Sequence, residues 1–148
     1  MIINTELANS KGHDQKDLWG TPPPIYNPLN DEFRFTLDPC CLIQTAKCEK
    51  FYTPKENGLI QDWSNDIVFC NPPYSRGNID KWTQKCFEES KKGAIVVGLF
   101  PVSTSAKWFH KWVWKKADLR FIEGRIRFVD APYTAPFSSV LAVYNQHH

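Results

Sequence analysis

The chain has 148 residues, with 18 Lys and Arg against 16 Asp and Glu and a net charge of +2; a chain this long makes one domain that buries about two-thirds of its unfolded surface. No apolar stretch approaches the roughly 20 residues of a membrane span, and Met1-Ile2-Ile3-Asn4-Thr5-Glu6 lacks the charged and apolar blocks of a secretory leader, so the reading is a cytoplasmic chain with no membrane partner. Five cysteines, Cys40, Cys41, Cys48, Cys70 and Cys86, form no C-x-x-C pair and are odd in number, which argues for reduced, packed thiols and against both a metal site and a disulfide framework.

Residues 1–17 are polar and aperiodic and read as a mobile arm. The domain, 18–146, starts near Leu18-Trp19. Thr21-Pro22-Pro23-Pro24 is extended or opens a helix, and Pro28 limits any helix there to a turn or two. Phe33-Arg34-Phe35-Thr36-Leu37 alternates like a strand and ends at Asp38-Pro39, and Phe51-Tyr52 forms a second short strand before a loop over 53–58. Ile67-Val68-Phe69-Cys70 is an apolar run that reads as a buried strand opening into Asn71-Pro72-Pro73-Tyr74.

Next, Asn78 or Ser75 caps a helix in which Ile79, Trp82, Cys86 and Phe87 share a face, with Gly93 as its stop. A continuous apolar strand follows over 94–100. Ser103, Thr104 or Ser105 caps a second helix reaching Lys116, with Trp108, Phe109, Trp112 and Val113 as its buried stripe. Segments 119–122 and 138–144 close the fold as strands. Strands that alternate with helices and are apolar on both faces predict an α/β fold with a mostly parallel sheet. Ligands of such sheets sit beyond the carboxyl ends of the strands, where Asp38, Asn71 and Pro101-Val102-Ser103 converge.

The Asn71-Pro72-Pro73-Tyr74 turn is suited to hold a planar amine. Pro72 and Pro73 lock φ and remove two backbone donors, so the turn presents carbonyl oxygens without competing N–H groups. The Asn71 side-chain oxygen and the Pro72 carbonyl can then accept both hydrogens of one exocyclic NH2, freeing its lone pair for an electrophile, while Tyr74 offers a flat face for stacking. An ordinary Asn-Pro turn after a strand is the plainer alternative.

Charge is divided along the chain. Residues 1–74 carry six Lys and Arg against ten Asp and Glu, a net −4, whereas 75–128 carry twelve against five, a net +7. Such asymmetry suits a polyanionic partner at the mouth of the site. At 100° per residue, Lys107, Lys111, Trp114 and Lys115 fall on one face of the second helix, opposite its apolar stripe. Cations with an exposed ring fit a nucleic-acid surface; a dimer contact or a partly buried Trp114 fits equally.

The ordered set Trp19-Gly20-Thr21-Pro22, Phe35-Thr36-Leu37-Asp38-Pro39-Cys40, Lys47-Cys48, Phe51-Tyr52, Asn57-Gly58-Leu59, Trp63, Phe69-Cys70-Asn71-Pro72-Pro73-Tyr74, Leu99-Phe100-Pro101, Trp108, Gly124-Arg125-Ile126-Arg127-Phe128 and Pro136-Phe137-Ser138-Ser139 resembles the small phage and prophage DNA N6-adenine methyltransferases, which use S-adenosylmethionine. The resemblance implies a minimal, single-domain Rossmann-like methyltransferase fold in a phage- or prophage-encoded protein. It implies that Asn71, Pro72, Pro73 and Tyr74 hold the reacting amine. Thr21 and Pro22, with Trp19, would lie against the methionine part of the cofactor, Asp38 with Pro39 and Cys40 would hold its amino group, and Asn57 with Leu59 would stand near its adenine. The loop Asp38-Pro39-Cys40-Cys41-Leu42 departs from the usual pattern in lacking Gly-x-Gly, and no clear carboxylate is placed for the ribose, Glu49 and Glu56 being weak substitutes.

Phe128 takes a position that implies stacking on an extruded base, or else a core Phe at a strand end. Arg125 and Arg127, with Arg76, would face phosphate or solvent. The activity implied is methyl transfer to N6 of adenine in DNA, the base being flipped from the duplex. An enzyme acting on RNA or protein glutamine, or a degenerate DNA-binding or partner subunit, is the alternative. Monomer and homodimer both stay open.

Overall fold

The computed structural model describes residues 19–145; the arm expected over 1–17 lies outside the described residues. Pro22 is extended and hands over to Pro23 at the start of helix α1 (Pro23–Phe33), where a missing N–H costs nothing. The helix runs through Pro28 for 11 residues, longer than the turn or two expected. Pro28 removes only its own bond to the Pro24 carbonyl, and burial of Tyr26 and Leu29, each 6% exposed, holds the helix down on both sides of it. Arg34, at φ 59, ends α1 in the left-handed region, and Asn30 closes the end by accepting from Arg34 N through its backbone and from Phe35 N through its side chain.

Phe33 therefore belongs to α1, and the strand expected there shrinks to β1 (Leu37–Asp38). After it come β2 (Lys50–Phe51), β3 (Ile67–Cys70), α2 (Asn78–Lys91), β4 (Ile95–Pro101), α3 (Lys107–Trp112), β5 (Asp118–Phe121) and β6 (Ser139–Tyr144). The six strands form one sheet in the order β2-β1-β3-β4-β6-β5. The first four run parallel, and β6 lies antiparallel between β4 and β5. This is a mixed α/β fold, compatible with that of an α/β methyltransferase.

Period-two alternation sends side chains to opposite faces of the sheet. Val68, Cys70, Val96, Phe100, Val140, Ala142 and Tyr144 pack with Trp63, Trp82, Cys86, Phe109 and Val113 on the α2–α3 side. Phe69, Val97, Leu99, Leu141 and Val143 pack with Tyr26, Leu29, Phe35, Ile126 and Phe128 on the other. Gly98 is needed on the first face, because a Cβ there would come within 2.2 Å of the Phe100 ring.

Glu89, buried in α2, is structural: its carboxylate accepts Trp63 N at 2.6 Å and pairs with Lys92 at 2.8 Å. Burial alone would raise this carboxyl, but Lys92 and the Trp63 N–H outweigh it and hold Glu89 below the ordinary range.

Two helix starts differ from expectation. Helix α2 begins after Gly77 at φ 88 with no side-chain cap, and Asn78 instead donates through Nδ2 to Ser75 Oγ at 2.8 Å, closing the turn before it. Helix α3 begins after Ala106 rather than a Ser or Thr cap, and it ends at Trp112 rather than Lys116. Val113, fully buried, and Lys115, at φ 62, turn the chain sharply into β5.

Candidate active site

Strand order reverses between β1 and β3, since β2 lies outside β1 on one side and β4 beyond β3 on the other. A crevice opens at such a switch point, at the carboxyl ends of the strands. Asp38 ends β1 and Asn71 follows β3 directly, so the topology brings both to this edge.

Asn71 is held from one side. Its amide nitrogen donates to the Trp19 carbonyl at 3.2 Å and to Thr21 Oγ1 at 3.0 Å. The Trp19 carbonyl can only accept, which fixes the nitrogen on that side and leaves Oδ1 on the other. Oδ1 lies 3.1 Å from the Tyr74 hydroxyl, which is 2.6 Å from the Leu99 carbonyl. A phenol has one hydrogen, and the nearer Leu99 carbonyl takes it, keeping Oδ1 available as an acceptor.

A cavity of about 480 Å³ opens beside this turn, walled by Asn71, Pro72, Tyr74, Phe128 and Phe137, with Arg76 and Tyr133 also lining it. Tyr74 meets Phe128 and Phe137 edge-on, with ring centroids 6.2 and 5.6 Å away. Phe128, 7% exposed, is a core residue, as one of its two sequence readings had it, and it also walls the cavity. Pro73 is buried beneath the turn. Phe137 was legible only as part of the Pro136-Phe137-Ser138-Ser139 resemblance, and Tyr133 only as a member of the loop over 130–136, one of those from which target specificity was expected, without being singled out.

On the other side of Asn71 a narrow recess is lined by Trp19, Thr21, Asp38, Cys40 and Lys47. Asp38 is 3% exposed, and its two oxygens accept one backbone N–H each, from Lys47 at 3.0 Å and Cys40 at 3.3 Å. Burial pushes its carboxyl up to about 6 against the pull of those donors. Burial also lowers the Lys47 ammonium. A carboxylate has about four lone-pair directions, so Asp38 retains acceptor capacity for a cation.

A further cavity of about 430 Å³ is lined by Pro39, Asn57, Gly58, Leu59, Trp82 and Lys81, among others. Asn57, at φ 58, caps its own turn by accepting Leu59 N at 3.2 Å. Gly58 lies so close to the β1 exit that a Cβ would fall 2.1 Å from the Pro39 carbonyl. Neither Glu49 nor Glu56 lines this cavity; Glu56 is exposed and engaged by Thr53 N and Oγ1 at 2.8 and 2.7 Å.

The expected cationic residues separate. Arg76 lines the large cavity, and Arg125 and Arg127 are exposed while Ile126 and Phe128 between and beyond them are buried. The single helical face of Lys107, Lys111, Trp114 and Lys115 does not form, because α3 ends at Trp112 and leaves the last two in the turn. The Trp112 carbonyl accepts from the Tyr144 hydroxyl at 2.8 Å, and Tyr144 pairs with Val96 near the start of β4. Lys111, Trp114 and Lys115 are therefore carried toward the amino edge of the sheet, away from Asn71.

The sequence profile of the DNA N-6-adenine-methyltransferase (Dam) family matches residues 9–141. The chain belongs to the Dam family. It is similar to a DNA N-6-adenine-methyltransferase of Escherichia phage T1, 32% identical over 110 residues that make up 73% of this chain and 45% of the phage protein. It is also similar to YfdM of Escherichia coli (strain K12), which bears a methyltransferase name, 38% identical over 79 residues covering 47% of this chain and 87% of that protein. The chain thus spans under half the length of the phage Dam protein it matches. Among the described residues no helix is long and apolar enough to cross a membrane, and no cluster of His, Cys, Asp and Glu is suited to hold a metal ion.

Proposed function

We propose that this chain transfers a methyl group from S-adenosylmethionine to N6 of adenine in DNA, and that its sheet is a shortened Rossmann-like methyltransferase sheet with β6 as the antiparallel insertion. The observation that carries this reading is the one-sided tether of Asn71 to Trp19 and Thr21, which leaves Oδ1 as an acceptor beside a cavity lined by Pro72 and walled by Tyr74 and Phe128. The split between a carboxylate-lined recess and an aromatic cavity, with Asn71 lining both, suits a cationic cofactor on one side and a planar base on the other.

The residues fit the cofactor chemically. Asp38 retains acceptor capacity for an ammonium, and the Trp82 indole N–H, beside the cavity lined by Asn57 and Leu59, has no partner among the described residues. Thr21, Asp38 and Cys40 would hold the methionine part, and Asn57 and Leu59 the adenosine. Bound there, S-adenosylmethionine supplies an electrophilic methyl group.

The protein's part is orientation. Asn71 Oδ1 and the Pro72 carbonyl accept the two N6 hydrogens and direct the nitrogen lone pair toward the recess. Tyr74, held by its hydroxyl on Leu99, packs against the base, and the surplus proton leaves to solvent after transfer. An adenine cannot meet both acceptors while paired and stacked, so it must leave the duplex. Radiolabelled cofactor with unmethylated duplex DNA, single-stranded DNA, RNA and cell extract in parallel, followed by nucleoside analysis, tests the reading. Label in N6-methyladenine from DNA is expected; label confined to RNA or protein overturns it.

A further inference from the structure

The loop that follows Phe128 is a braced finger. Val129 N donates to the Gly20 carbonyl at 2.9 Å and Ala135 N to the Ile126 carbonyl at 2.8 Å, so both of its ends are fixed. Asp130, at φ 67, and a bond from Ala131 N to the Phe128 carbonyl at 3.1 Å turn the chain outward. The Arg127 guanidinium then donates to the Ala131 and Pro132 carbonyls at 3.4 and 3.5 Å, and Pro132 and Pro136 stiffen the tip. Ala131 and Ala135 are buried shoulders, at 5% and 7% exposure, whereas Tyr133 between them is 80% exposed. Among the described residues, its ring packs on no other ring and its hydroxyl has no hydrogen-bond partner.

Tyr133 also lines the cavity that holds Asn71 and Tyr74, as does Arg76. A large exposed ring on a rigid support, at the mouth of a cavity suited to a planar base, is placed to meet whatever the base leaves behind. We propose that Tyr133 enters the base stack of duplex DNA in the space vacated by the target adenine. It is then a positioning residue, which favours the extruded state by replacing lost stacking with ring–base contact. Because the finger is already braced, little ordering of the chain opposes that contact. The inference rests on reading the Asn71 cavity as the seat of the flipped adenine.

The test compares wild type, Tyr133→Ala and Tyr133→Phe on three substrates: duplex DNA, the same duplex with an abasic site opposite the adenine, and the single strand. On intact duplex, Tyr133→Ala should lose about tenfold or more in kcat/KM, and Tyr133→Phe should stay within about threefold of wild type. On the abasic duplex and the single strand, where little pairing or stacking must be replaced, the deficit of Tyr133→Ala should shrink to about threefold or less. Binding of S-adenosylmethionine, measured by calorimetry, should be the same for all three proteins. An alanine variant as active as wild type on duplex, or one equally impaired on every substrate, overturns the inference alone. A wild type that methylates no DNA overturns the reading of the cavity and this inference with it.

Discussion

The amide nitrogen of Asn71 donates to the hydroxyl of Thr21 at 3.0 Å across 50 residues of sequence. This bond, with the one to Trp19, ties the segment entering α1 to the turn leaving β3 and orients the Asn71 amide. Thr21→Val keeps the shape but removes the acceptor, and the expected outcome is a fall of about tenfold or more in kcat with DNA affinity little changed. On the proposed mechanism Asn71→Ala removes an acceptor for the reacting amine and should cost about a hundredfold or more in rate, with cofactor affinity within a few-fold. Steady-state kinetics beside calorimetry check both; Asn71→Ala within threefold of wild type would exclude the mechanism.

Asp38 predicts opposite responses of stability and cofactor binding to pH. Its carboxyl is raised from an ordinary 3.8 to about 6 in the folded chain. Between about pH 4 and 6 the folded chain therefore keeps a proton on Asp38 that the unfolded chain has released, so the Asp38 contribution to stability without cofactor rises as pH falls through that window, by up to about 3 kcal/mol, and is read as the difference between wild type and Asp38→Asn. An ammonium is held by the carboxylate form, so cofactor affinity falls over the same window. Urea unfolding and calorimetry between pH 4.5 and 8 measure the two, and Asp38→Asn should flatten both profiles and weaken cofactor binding at pH 8. Wild-type cofactor affinity that does not vary with pH would remove Asp38 from the site.

Gly58→Ala should destabilise the chain by about 1–3 kcal/mol, as overpacking does. The new Cβ would fall 2.1 Å from the Pro39 carbonyl, a backbone atom that cannot swing aside as a side-chain end can. Because Pro39 lines the same cavity, cofactor binding should weaken as well. Gly20→Ala is the control, its nearest neighbours standing 3.6 Å from the added carbon. Chemical unfolding of the two variants side by side gives the answer, and equal stabilities would show that the two loops can part without cost.

The chain direction of α3 separates two cationic groups that share a sign but not a place. Replacing Arg76, Arg125 and Arg127 with Gln should flatten the salt dependence of duplex binding, each lost phosphate contact lowering the slope by roughly 0.9. Replacing Lys111 and Lys115 with Gln should leave that slope unchanged. Binding titrations over a range of salt decide between them, and the reverse result would bring DNA to the amino edge of the sheet.

The site was legible in the sequence where its chemistry is local. An apolar run of strand length feeding Asn71-Pro72-Pro73-Tyr74, and Asp38 at the end of another extended segment, follow from propensity and proline geometry, which act between neighbours. The helical stripe of Ile79, Trp82, Cys86 and Phe87 was legible for the same reason, since its period is set by the backbone. Pro28 misled because a proline penalty is local, whereas the burial of Tyr26 and Leu29 that offsets it is not. The end of α3 misled likewise: nothing in the periodicity through Lys115 reports that the chain must turn there to pair Asp118 with Val143.

What the tertiary structure alone decided are the long-range contacts. Thr21 reaches Asn71, Gly58 abuts Pro39, and Val129 joins Gly20 at the base of the finger that carries Tyr133. Each joins segments whose approach depends on strand order and on loops crossing one edge of the sheet. Sequence determined which residues could accept an amine's hydrogens; strand order placed Asn71 at the switch point, and its bonds to Trp19 and Thr21 decided which way its amide faces.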